Sequence, residues 1–158
     1  MKIEFTKEQY ENLIKLAYVG NFVINGIRFG EEEIPGFNEL EEHIYKHAKD
    51  FELGNLVAEE EGEFFASDEL EENAEIEEFF EAFRDEIFWN ELGDRLAVQA
   101  ILENYNDEAL AKMSDDEQFL LRTSVSDQFE EEFDENGLEN VKVINFEPDL
   151  EIPEVPNY

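Results

Sequence analysis

The chain contains no cysteine, which excludes disulfides, thiolate catalysis and any zinc site built on sulfur. Basic residues are scarce: 11 Lys and Arg stand against 44 Asp and Glu, for a formal net charge of -33. Direct binding to nucleic acid or to an anionic membrane surface is therefore disfavoured, since both repel a polyanion. Histidine occurs twice and serine four times, which leaves little material for a nucleophilic triad, and Ser67 and Ser114 sit where helix caps are expected. No apolar run approaches the ~20 residues of a membrane-spanning helix. The opening Met1-Lys2-Ile3-Glu4-Phe5 lacks the layout of a secretion signal, so cytoplasm is the expected compartment. Gly-rich nucleotide-binding patterns are missing too, and no cofactor is expected. Asp134-Glu135-Asn136-Gly137 places its glycine fourth, where a calcium loop needs it sixth.

What the chain has is acid and phenylalanine together. Fifteen Phe and 42% hydrophobic residues are too apolar for a disordered acidic tail, and 158 residues suit one domain spanning 1–158. The acids are 34 Glu and 10 Asp; with so many aromatics, this is not the surface expected of a salt-adapted protein. They are also uneven along the chain. Residues 59–91 hold fifteen acids and one base, Arg84, together with Phe64, Phe65, Phe79, Phe80, Phe83, Ile87, Phe88 and Trp89. Such a segment should bury one face and present an anionic other.

The expected fold is mainly α (α+β): four to six helices with a two-stranded sheet pairing the N-terminal and C-terminal segments. Thr6-Lys7-Glu8-Gln9 has capping-box form, and the helix it opens carries Tyr10, Leu13, Ile14, Ala17, Val19, Phe22 and Val23, with Asn25-Gly26 as its stop. The apolar run from Leu16 to Ile27 predicts a helix central in the core. Asn38 is the expected cap of a helix over 39–51, with Leu40, His43, Ile44, His47, Ala48 and Phe51 on one face. Residues 57–68 read as a flexible acidic loop. Ser67 should cap a long helix, with Ile76, Phe80, Phe83 and Ile87 on its core stripe, and Gly93 leaves open one bent helix or two. Ser114-Asp115-Asp116-Glu117 is a second capping box, and Gly137 should end its helix. Lys2-Ile3-Glu4-Phe5 and the segment 141–146 are strand-like, and 147–158 is an extended tail.

Chemistry is harder to place. His43 and His47 have the one-turn spacing of a helical metal chelate, but neither the following Glu of a zinc protease nor a third His exists, and a core edge is the simpler role. Carboxylate pairs are everywhere, so none marks an acid–base site. The anionic surface remains. Acids one turn apart lie ~5–6 Å from each other, a spacing comparable with successive phosphates. One row is expected from Glu71, Glu75, Glu78, Asp85 and Glu86, and a second from Asp127, Glu130, Glu131, Glu132, Asp134 and Glu135. Phe64, Phe65, Phe88 and Trp89 are candidate docking aromatics, or a homodimer seam.

Small size, no cysteine and extreme acidity are similar in profile to DNA-mimic inhibitors such as anti-restriction and anti-CRISPR proteins. The likeness is one of composition; it assigns no residue. The sequence thus points to a non-enzymatic binding protein for a basic partner, in its sharper form a nucleic-acid mimic that occupies a cationic groove. The alternatives are a metal-dependent enzyme using His43 and His47, and a structural subunit whose acidity serves solubility.

Overall fold

A computed structural model describes residues 2–144. The fold is mainly α, with six α-helices and one two-stranded antiparallel sheet among the described residues. The chain divides into two compact units, Met1–Phe83 and Arg84–Tyr158.

The first unit opens with α1 (Lys7–Asn25), begun by the Thr6 capping box: the Gln9 N–H donates to Thr6 Oγ1 at 3.2 Å, and Gln9 Oε1 accepts from the Thr6 N–H at 2.9 Å. Tyr10 and Ile14 are buried, one turn apart on the same face. The expectation that α1 is central fails, because Leu16 is 69% and Ile27 77% exposed. An apolar run wider than one helical face cannot all be buried by neighbours on one side. Helix α2 (Pro35–Tyr45) begins four residues earlier than 39 and ends six before 51. Pro35 supplies the first-turn residue that needs no N–H partner, so Asn38 lies inside the helix instead of capping it. The chain then passes through short 3₁₀ turns to the hairpin β1 (Val57–Glu60) and β2 (Glu63–Ala66).

That hairpin is the sheet. Glu60 pairs with Glu63 across a two-residue turn in which Glu61 and Gly62 both have positive φ, at 52° and 90°, as the twist of tight hairpins requires. The acidic loop expected over 57–68 is thus an ordered hairpin, and residues 2–5 and 141–143 form no strand. The rest of the segment 141–146 and the tail 147–158 reach beyond the described residues. Helix α3 (Asp68–Glu71) takes the Ser67 cap expected of the long helix, with the Leu70 N–H donating to Ser67 Oγ. Tyr10, Ile14, Ile44, Tyr45, Leu70 and Ile76 lead the core of this unit. Tyr10 Oη donates to the Ile44 carbonyl at 2.8 Å, and its ring stacks on Phe51 at 3.9 Å.

Helix α4 runs unbroken from Ala74 to Asn104, through Gly93. Asn73 Oδ1 accepts from the Ile76 N–H at 3.2 Å and fixes its start. In the second unit, α5 (Asp107–Leu110) leads to α6 (Asp115–Asn136), opened by the Ser114 capping box and stopped at Gly137, whose φ is 56°. Gly93 faces α6, where an added Cβ would make ordinary contact, 3.7 Å from Ser126 Oγ and 3.9 Å from Phe129 Cβ. Asp94 ties the same helices together, accepting from Ser126 Oγ at 3.1 Å and from Arg122 Nη2 at 2.9 Å. Among the described residues, no helix is long and apolar enough to cross a membrane.

Candidate anionic surface

The acids named from sequence do not form two continuous rows. Glu71 ends α3, and Glu72 and Asn73 separate it from α4, so it does not share a helix with Glu75 and Glu78. In the first unit Glu75 takes Lys15 Nζ at 2.6 Å, a contact that raises the lysine pKa. In the second, Asp85 accepts from Trp89 Nε1 at 3.0 Å and Glu86 from Asn90 Nδ2 at 3.1 Å. Helix α6 is different. Asp127, Glu131 and Asp134 follow one another at i, i+4 and i+7, flanked by Glu130 and Glu135, and all five are exposed. Among the described residues no base pairs with any of them. Glu132 turns away, half-buried, and accepts from Asn140 Nδ2 at 2.6 Å.

Three bases of the second unit are committed to other acids: Arg95 to Glu91 at 2.9 Å, Lys112 to Glu108 at 2.7 Å and Arg122 to Asp94 at 2.9 Å. Pairs between exposed groups add little stability, yet they neutralise cations locally. The field at the surface is left to the unmatched acids.

The aromatic candidates separate by strand alternation and packing. Phe64 points inward and packs on the first core, with Lys46 Nζ 5.9 Å from its ring, while Phe65 points outward. Trp89 is half-buried against Phe133, with ring centroids 5.3 Å apart, and helps hold the second unit together. Phe88 remains exposed.

His43 and His47 do not edge the core. Both are exposed, and α2 ends between them. Their rings meet edge to face at 5.4 Å, and His47 Nδ1 lies 3.0 Å from Asp50 Oδ2. Among the described residues, no group of three or more His, Asp or Glu is arranged to hold a metal ion.

Sequence reading missed a polar cluster in the first unit. Buried Asn25 accepts from the Ile34 N–H at 2.9 Å and donates to Asn21 Oδ1 and Asn38 Oδ1, each at 2.9 Å. Asn21 Nδ2 donates to Glu41 Oε2 at 2.6 Å, and Tyr45 Oη donates to Glu41 Oε1 at 2.8 Å. Burial outweighs these bonds and holds the Glu41 carboxyl above the ordinary range, while burial and the Glu41 charge push Tyr45 up. Beside the cluster lies an open cavity of about 340 Å³, lined in part by Glu33, Glu41, Glu71, Tyr18 and Phe65. Two residues of type Asn four apart on α1 were the available signal. No family model, no curated protein and no solved structure matches the chain.

Proposed function

We propose that this is a non-enzymatic binding protein that engages a basic partner through its carboxylates, and that it does so as a nucleic-acid mimic. The observation that supports the reading is the α6 face, where five exposed acids within about three turns meet no compensating base among the described residues. Like charges at i, i+4 spacing cost helix stability, and a cationic partner would relieve that repulsion. In the first unit, Glu75 and Glu78 on α4 are likewise exposed carboxylates. The partner is a protein with a cationic groove of the kind that binds DNA or RNA, and the chain acts in the cytoplasm.

Capture on the immobilised protein from a lysate of the source cells at about 100 mM salt tests this, with stepwise elution toward 1 M, where screening shortens to ~3 Å. A nucleic-acid-binding protein should elute sharply and be displaced by added duplex DNA. An Asp127→Lys, Glu131→Lys double variant should lose it. Retention of the partner through 1 M salt, or undiminished capture by the double variant, would refute this face.

A further inference from the structure

The first unit exposes a groove whose floor is the outer side of α1. Asn12, Leu16 and Val19 run along it, with the N-terminal segment (Ile3, Phe5) on one side and the start of α4 (Glu75, Ile76, Phe79) on the other. Two cavities of about 320 and 410 Å³ lie side by side there, sharing Asn12 and Leu16. Leu16 is 69% and Phe79 57% exposed, so the apolar surface is open. Carboxylates stand on both walls: Glu4, paired with exposed Lys2 at 3.3 Å, on one, and Glu75 on the other. Among the described lining residues the one base, Lys15, is held by Glu11 at 3.1 Å and Glu75 at 2.6 Å, so that acids outnumber bases around the groove.

From Asn12 to Val19 the floor rises ~10 Å, two helical turns. That length matches the i, i+3, i+4, i+7 anchors of an amphipathic helix laid into a groove. A second copy of this chain is a poor occupant, because each carries a net charge of -33 and like charges across an interface are costly. We infer that the groove seats the apolar face of a cationic amphipathic helix, its basic flanks resting against Glu4 and Glu75. The inference rests on the proposal that the partner is basic, and adds how part of it is held.

The test uses a dye-labelled helix of leucine and lysine with leucines at those spacings, and a permuted isomer of identical composition. Anisotropy with the full chain at about 100 mM salt should give the patterned peptide an affinity at least ~10-fold above the isomer. Truncating a central apolar anchor commonly costs an interface about tenfold or more, so Leu16→Asn and Phe79→Ala should each weaken the patterned peptide by ~10-fold. Neither should affect the isomer, and Leu102→Asn, on an exposed apolar residue of the second unit, should be silent. Both groove positions are exposed, and unchanged circular dichroism confirms the fold. Equal binding of the two peptides, with silent groove variants, would overturn the groove and leave the basic-partner proposal standing. Failure of both peptides to bind would sink both. A dimer of the free protein that dissociates on Leu16→Asn would assign the groove to a second copy instead.

Discussion

An Asn25→Asp substitution replaces an amide with a carboxyl of almost the same shape at a buried position. The oxygen that accepts from the Ile34 N–H at 2.9 Å is kept. The donor to Asn21 Oδ1 and Asn38 Oδ1, also 3.3 Å from the Ile34 carbonyl, is lost. A second carboxylate oxygen then faces three acceptor oxygens, in a network that already includes Glu33, through Asn38, and Glu41, through Asn21. Each lost bond is worth ~0.5–1.5 kcal/mol net, and a buried oxygen without a donor costs ~1–3 kcal/mol. The variant should therefore be destabilised by ~3 kcal/mol near neutral pH, a large part of the ~5–15 kcal/mol typical of a domain. A pH signature follows from the same geometry. Burial and neighbouring carboxylates hold the introduced carboxyl above its unfolded value, and once protonated it can donate where the amide did. The folded variant thus binds a proton more tightly than the unfolded one. Its deficit is full above the raised pKa and shrinks as pH falls toward the unfolded value of ~4. Urea unfolding followed by circular dichroism, for the wild type and for Asn25→Asp and Asn25→Ala, should show a gap that narrows from about pH 7 to about pH 5 only for the aspartate variant. A gap that stays constant with pH, or one below ~1 kcal/mol near neutrality, would refute the assigned roles of Asn25.

Gly20 lies inside α1 with no atom within 4 Å of an added Cβ, so Gly20→Ala should stabilise by ~0.5–1 kcal/mol; a lowered melting temperature would contradict the open environment. Ser114→Ala removes the cap that accepts from the Glu117 N–H at 3.3 Å and should cost ~1 kcal/mol in a denaturant titration. The Ser114 backbone N–H and hydroxyl hold the Glu117 carboxyl below its usual range, a stabilisation present above the unfolded pKa and lost as pH falls through the lowered one. In the variant an NMR titration of Glu117 should therefore move upward, and an unmoved pKa would show that the hydroxyl does not matter there.

Local chemistry was legible in the two capping boxes, though the Asn73 cap of α4 was not. Thr6 with Gln9, and Ser114 with Glu117, need only a three-residue spacing, and both boxes form. The α2 boundary was misread because two start signals compete within four residues, and Pro35, with its fixed φ, prevails over Asn38. The hairpin was hidden because Glu61 occupies a left-handed turn position where Asn or Asp would have announced it. With the strands missed, alternation was missed too, so Phe64 and Phe65 looked equivalent although one packs inward and one faces out. The polar cluster was illegible for a different reason. Asn21, Asn25, Asn38 and Glu41 come together through the tertiary packing of α1 on α2, and the Asn21–Asn25 spacing within α1 gives only its own half of the cluster.

Exposed phenylalanines on so acidic a chain pose a physical question that charge alone does not answer. Open apolar surface invites self-association, yet a chain at -33 repels its own copies. The repulsion lets Leu16 and Phe79 stay open without the penalty a neutral protein would meet. It also favours cationic partners, which are attracted, over anionic ones, which meet the same barrier. In the proposed complex, electrostatics and apolar contact would act in sequence: long-range attraction selects, and desolvation of the groove holds. The two contributions differ in salt dependence, since screening weakens attraction between exposed charges and leaves apolar contact intact. Affinity for a patterned cationic helix should therefore fall with added salt and then level off. That of its permuted isomer should keep falling until binding is lost, and parallel decline of the two would show that charge is the whole of the interaction.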